Sequence, residues 1–226
     1  MSKHVAKPVF TFITVILCSI VLTGCIIHVG SGKATASTAW GDDYSSVNKS
    51  LTIGEGKTVG DVSAVNGRLS IENNVSADDI SSVNGRLSLG DNVSAADVST
   101  VNGKLSAGKN LIAKGDVSSV NGGIYLEQGS RVENDVTTVN GTIELDSVEV
   151  QRNIETVNGT ISLMGTTSVN GDIVYRWNKS NSKYKGRNPV LEIGEDATVN
   201  GSIILERPVD LEFANDSLNE KVIRKY

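Results

Sequence analysis

The stretch SSVNGRLSLG, residues 81–90, decides how this chain is read, because its central tripeptide keeps returning. The tripeptide asparagines are Asn48, Asn66, Asn84, Asn102, Asn121, Asn140, Asn158, Asn170 and Asn200. Successive gaps are 18, 18, 18, 19, 19, 18, 12 and 30 residues, and only the first member departs from Val-Asn-Gly, with Lys49 in place of glycine. A short fixed period predicts a solenoid, in which each repeat is one structural unit stacked on the next.

Apolar residues fall at fixed places within the repeat. After Asn-Gly comes an alternating pair: Leu69/Ile71, Leu87/Leu89, Ile124/Leu126, Ile143/Leu145 and Ile161/Leu163. Alternation of period two is the mark of a strand with one buried face. Before Asn-Gly comes a second apolar pair, as in Val62/Val65, Ile80/Val83 and Val98/Val101, and between the two lies a weaker apolar position such as Val75, Val93 or Val132. No repeat holds a helical period. Each repeat therefore reads as three short strands joined by bends, and at ~3.3 Å per residue 18 residues close a loop of roughly 59 Å. The predicted fold is all-β: a single-stranded β-helix, or β-solenoid, with about 18 residues per coil and roughly eight coils. One coil buries too few aliphatic side chains to offset the ordering of its own backbone, so the coils must fold by stacking.

The tripeptide reads as a corner. Glycine after asparagine tolerates positive φ, and asparagine accepts the same region. Stacked coil on coil, the amides of Asn66, Asn84, Asn102, Asn121, Asn140 and Asn158 can donate and accept in a continuous ladder.

Composition bounds the function. The 226 residues carry a formal net charge of −5, which argues against nucleic acid as a partner. Glycine is abundant (23 residues) and aromatic residues make up only 4%, so no aromatic core is expected. Lys3 and Lys7 precede an apolar run over residues 9–22, shorter than the roughly 20 apolar residues of a membrane span. Leu22-Thr23-Gly24-Cys25 follows and resembles the lipobox of bacterial lipoproteins. That resemblance implies a signal peptide over residues 1–24, acylation of Cys25 and anchorage to a membrane. Ile26, where an aspartate would favour inner-membrane retention, implies the outer membrane. The other cysteine, Cys18, leaves with the signal peptide, so no disulfide is expected. Residues 25–37 read as a flexible tether, and residues 38–226 as the β-helix domain.

Over residues 47–205 the VNG-x-[LI]-x-[LI] pattern resembles the bactofilins and the adhesin-like bacterial β-repeat proteins. The bactofilin resemblance implies end-to-end polymerisation. Glu206-Arg207-Pro208 and the charged tail over residues 219–226 argue against it, since proline and charge at a sheet edge block strand addition. Residues 207–226 are expected to cap the last coil through Val209, Leu211 and Phe213, and Trp40 and Tyr44 to cap the first.

Four features are candidate sites. An acidic column, Asp61, Asp79, Asp97, Asp116 and Asp135, fits either divalent cations or turn acceptors, and Asn153 at the sixth place favours the turn. A hydroxyl column, Ser82, Thr100, Ser119, Thr138, Thr156, Ser168 and Thr198, reads as a polar strand face that could meet ice or sugar. Glu127, Glu144 and Asp146 could approach one another for glycoside chemistry, without a histidine to join them. The break in period between Asn170 and Asn200 holds a loop insertion, residues 176–187, with Arg176, Trp177, Lys179, Lys183, Tyr184, Lys185 and Arg187 and no acidic residue. Arginine beside aromatic rings suits an envelope polyanion or a partner protein. The expectation is a non-enzymatic, lipid-anchored envelope protein, structural or adhesin-like, with no catalytic residue, metal or cofactor. The alternative is a polysaccharide-binding or polysaccharide-degrading β-helix.

Overall fold

A computed structural model of the chain describes residues 41–177 and 187–226. Cys25, Trp40, Lys179, Lys183, Tyr184 and Lys185 lie outside the described residues. The described residues form a β-solenoid of three parallel sheets. The first sheet has ten strands, the second nine and the third six, which makes about nine coils where roughly eight were expected. One coil shows the plan: Val98–Asn102 lies in the first sheet, Leu105–Ala107 in the second, Ile112–Ala113 in the third, and Val117–Asn121 returns to the first. Register is kept from coil to coil at an offset of 18 or 19, with Leu87 paired to Leu105 and Leu105 to Ile124.

The core is a stack of aliphatic columns. The alternating pair after Asn-Gly points inward throughout, with Leu69, Leu87, Leu105, Ile124, Ile143 and Ile161 fully buried on the second sheet. Val62, Ile80, Val98, Val117, Val136 and Ile154 do the same on the first. Val59, Ala77, Ala95, Ala113, Val132, Val150, Val169 and Val199 close the third side. Val75 and Val93 are buried where the chain turns from the second sheet into the third.

The pair before Asn-Gly is only half core. Val62 is buried but Val65 is half-exposed, and the same holds for Val83, Val101, Val120 and Val139. The inward partner lies one residue earlier: Ala64, Ser82, Thr100, Ser119, Thr138 and Thr156 are buried. Strict alternation demands this, since residue 62 inward requires 64 inward and 65 outward. The hydroxyl column is therefore an interior feature over five coils and not a surface for ice or sugar. Ser168 and Thr198 belong to a different column, on the outer face of the third sheet.

The irregular gaps also have a geometric cause. The asparagines from Asn48 to Asn158 stand at the corner between the first and second sheets. Asn170 and Asn200 follow the third-sheet strands Ser168–Val169 and Thr198–Val199, so they stand at the corner between the third and first sheets. The 12-residue gap carries the chain past the corner between the second and third sheets to the one between the third and first. The 30-residue gap is one coil plus the insertion.

Both ends of the stack are finished differently. Tyr44 is half-buried in the first strand, Tyr44–Val47, and packs against the core. At the other end Asp210–Phe213 and Val222–Arg224 extend the second and first sheets, and a 3-10 helix over Asp216–Lys221 inserts Leu218 into the core. Leu211 and Phe213 face inward but stay half-exposed, as the final rung of a column must. No helix among the described residues is long and apolar enough to cross a membrane.

Candidate functional site

The corner between the first and second sheets concentrates the repeat's polar chemistry. Asn66 Nδ2 donates to Asn48 Oδ1 (2.9 Å), Asn84 to Asn66 (2.7 Å), and Asn102 to Asn84 (2.8 Å). The file continues from Asn121 to Asn102 (2.9 Å), Asn140 to Asn121 (2.8 Å) and Asn158 to Asn140 (2.8 Å). Only Asn48 and Asn66 have positive φ (59° and 57°); Asn84, Asn102, Asn121 and Asn140 are the last residues of extended strands. Glycine is required here for space, and among these corner glycines only Gly85 and Gly141 also have a φ (156° and 157°) that other residues avoid. A Cβ on Gly67, Gly85, Gly103, Gly122, Gly141 or Gly159 would lie inside the contact radius of the carbonyl oxygen one coil below. The glycines form a column that lets successive corners nest.

Arg207 closes the asparagine file. It is 8% exposed, and its Nη1 donates to Val157 O (2.9 Å) and to Asn158 Oδ1. Sequence reasoning placed Arg207 only in a charged cap. Its signal was its position: Leu205 occupies the same column as Thr156 and Tyr175, so residue 207 falls at the asparagine corner.

The insertion leaves from this same corner. It runs between Ile173–Tyr175 in the first sheet and Val190–Ile193 in the second, in place of a Val-Asn-Gly turn. Tyr175 is fully buried below it and its hydroxyl donates to Val190 O (2.8 Å); burial pushes the phenol far above its ordinary range. Arg176 does not extend a free basic loop. Its guanidinium meets Glu155 (2.8 Å) and Glu206 (3.5 Å), the rungs to either side. Burial works against its charge, but the two carboxylates outweigh it and hold the group above its ordinary range. Trp177 is 46% exposed, and its backbone N–H donates to Glu206 (3.0 Å). Trp177, Glu206, Lys225 and Tyr226 line an open cleft of about 430 Å³. Arg187 is exposed at the far end of the insertion.

The acidic column stands at the corner between the third and first sheets. The backbone N–H of Asp79 donates to Asp61 Oδ1 (3.2 Å), that of Asp97 to Asp79 (3.1 Å), and that of Asp135 to Asp116 (3.0 Å). Asn153 continues the file, accepting from the Asp172 N–H (2.8 Å) with its amide oxygen. The acceptors are thus turned to the next coil rather than to their own turn. Partial burial raises Asp79 and Asp116 above the usual carboxylate range, and the stacked neighbouring aspartates add to the rise. Among the described residues no group of three or more His, Cys, Asp or Glu is arranged to hold a metal ion.

Glu127, Glu144 and Asp146 are all exposed on the outer side of the second sheet. Glu144 stands in register between Tyr125 and Ser162, and Asp146 accepts from the Ser147 hydroxyl (3.0 Å). None of the three lines the cleft at Trp177.

No family model matches the chain, and no curated protein or solved structure matches it.

Proposed function

We propose that this chain is a non-enzymatic scaffold of a bacterial cell envelope, held to the membrane by lipid on Cys25, most simply in the outer membrane. It presents a rigid surface to a partner, in a structural or adhesin-like role. The observation that carries this reading is an interruption of the stack: one corner turn is replaced by an insertion, and its first residue is clamped between two rungs by Glu155 and Glu206. Binding residues are commonly carried on loops that a rigid scaffold positions. Clamped Arg176 serves as an anchor, and among the described insertion residues Trp177 and Arg187 are left to meet a partner. The test is binding of the full-length protein to isolated envelope fractions, with Trp177→Ala and Arg187→Gln compared to wild type. Loss of binding in both variants supports the insertion as the contact; unchanged binding removes it. Cys25→Ser should move the protein from the membrane to the soluble fraction.

A further inference from the structure

The outer face of the second sheet carries a row of cations that the sequence reading did not single out. Arg68, Arg86 and Lys104 occupy the same place in three successive coils, directly after Asn-Gly, and all are exposed. The chain is stitched there by Leu69 N–H to Arg86 O and Leu87 N–H to Lys104 O, both 2.9 Å, so the three side chains leave the surface at the coil spacing of ~4.8 Å.

Stacked like charges at that distance repel. Three other arginines have a carboxylate partner. Arg131 sits between Glu133 and Glu149, Arg152 reaches Asp135, and Arg176 sits between Glu155 and Glu206. Among the described residues the ion pairs involve none of Arg68, Arg86 and Lys104. In a chain of net charge −5, three adjacent cations without a carboxylate form a local field of the opposite sign. The row ends at Tyr125. Its ring covers Gly123, where the next cation would stand, and Lys104 Nζ lies 3.7 Å from the ring centre.

A second row runs beside the first. Ser70, Ser88 and Ser106 are in register on the same face. Ser70 and Ser88 also line an open groove of about 450 Å³ together with Gly90, Glu55 and Glu72. One side of this surface offers cations, and the other offers hydroxyls and carboxylate acceptors. A ligand that matches both sides bears anionic groups at a regular spacing and hydroxyl donors between them.

We infer that the Arg68–Arg86–Lys104 row, with the adjoining serine groove, binds an acidic polysaccharide strand lying along the solenoid axis. Arginine forks pair with carboxylates in two-point contacts, and the serine hydroxyls and Glu55 and Glu72 take the sugar hydroxyls. The inference rests on the reading of the chain as a non-enzymatic binding scaffold, but not on the insertion, and the two surfaces fail separately.

The test uses the full-length protein in detergent and polygalacturonate as the probe. Three side chains are changed together, Arg68→Gln, Arg86→Gln and Lys104→Gln. A control removes the same charge elsewhere: Lys109→Gln, Lys114→Gln and Arg224→Gln, all exposed and none of them lining the groove. The expected result is binding to polygalacturonate that weakens with salt, at least a tenfold loss in the row variant, and less than a twofold change in the control and in Trp177→Ala. Thermal unfolding of the row variant should match wild type, since the three side chains are exposed. Absence of polygalacturonate binding overturns the inference, as does equal loss in the row variant and the control. Equal or tighter binding of single-stranded DNA or inorganic polyphosphate overturns the assignment to a polysaccharide. Loss in Trp177→Ala with the row variant unaffected leaves the insertion as the contact and removes the row.

Discussion

Gly103 shows why the tripeptide needs its glycine. Its φ is not in the left-handed region, yet a Cβ there would meet the Gly85 carbonyl oxygen. Gly103→Ala should therefore destabilise the protein by about 1–3 kcal/mol, the scale of overpacking, as read by urea unfolding. Gly56, which has positive φ but open space around its Cβ direction, is a contrasting site where only backbone strain applies. Arg207 is the other residue with a disproportionate role. Arg207→Met keeps much of its bulk but removes the donors to Val157 and Asn158, and should cost about 1.5–3 kcal/mol by the same measurement. The acidic column predicts the opposite sign. Asp116 has its carboxyl raised by burial and by Asp135 and Asp97, so the native state holds its proton to higher pH than the unfolded chain does. Stability from this group is therefore greatest below its unfolded pKa and falls as pH rises through the folded value. Asp116→Asn keeps the acceptor, as Asn153 does naturally, and should raise the unfolding midpoint at pH 7 while leaving it nearly unchanged at pH 3. Added salt should narrow the difference between the two proteins at pH 7.

At the scale of one strand, the interior hydroxyls separate into two kinds. Thr138 donates to Gly122 O (3.3 Å), and Thr156 accepts from the Gly159 N–H (2.9 Å). Ser82, Thr100 and Ser119 are buried with no hydrogen-bond partner among the described residues. A buried hydroxyl without a partner opposes folding, and valine is close in shape to threonine. Thr100→Val should stabilise by about 1 kcal/mol, whereas Thr156→Val should destabilise by a similar amount, both read by urea unfolding. This strand was legible in outline and misread in detail. Val98 and Val101 suggest two core positions because both are apolar, but they are three residues apart and a strand repeats every two. The valine went outward and Thr100 inward because the backbone fixes the faces before side-chain chemistry is consulted.

For the whole molecule the unit of change is the coil. Around this coil each rung pairs with its neighbours at an offset of 18 or 19 residues, so removing residues 91–108 leaves each column in register. Such a deletion should retain the β-sheet circular dichroism and cooperative unfolding, with a lower midpoint, because repeat stability adds from neighbour to neighbour. Removing residues 91–102 instead should abolish cooperative unfolding, since it shifts a corner onto a strand. The sequence by itself determined the β-solenoid, the length of a coil and the existence of an asparagine corner, because a stack imposes its period on every coil and the period is written in the chain. It also placed the insertion at the break between Asn170 and Asn200. Only the tertiary structure decided that Asn170 and Asn200 turn a different corner, that the hydroxyls face inward, and that Arg176 is neutralised while Arg68 and Arg86 are not. The last of these depends on what stands one coil above or below. Glu155 and Glu206 lie far from Arg176 along the chain, and only stacking brings their charges together.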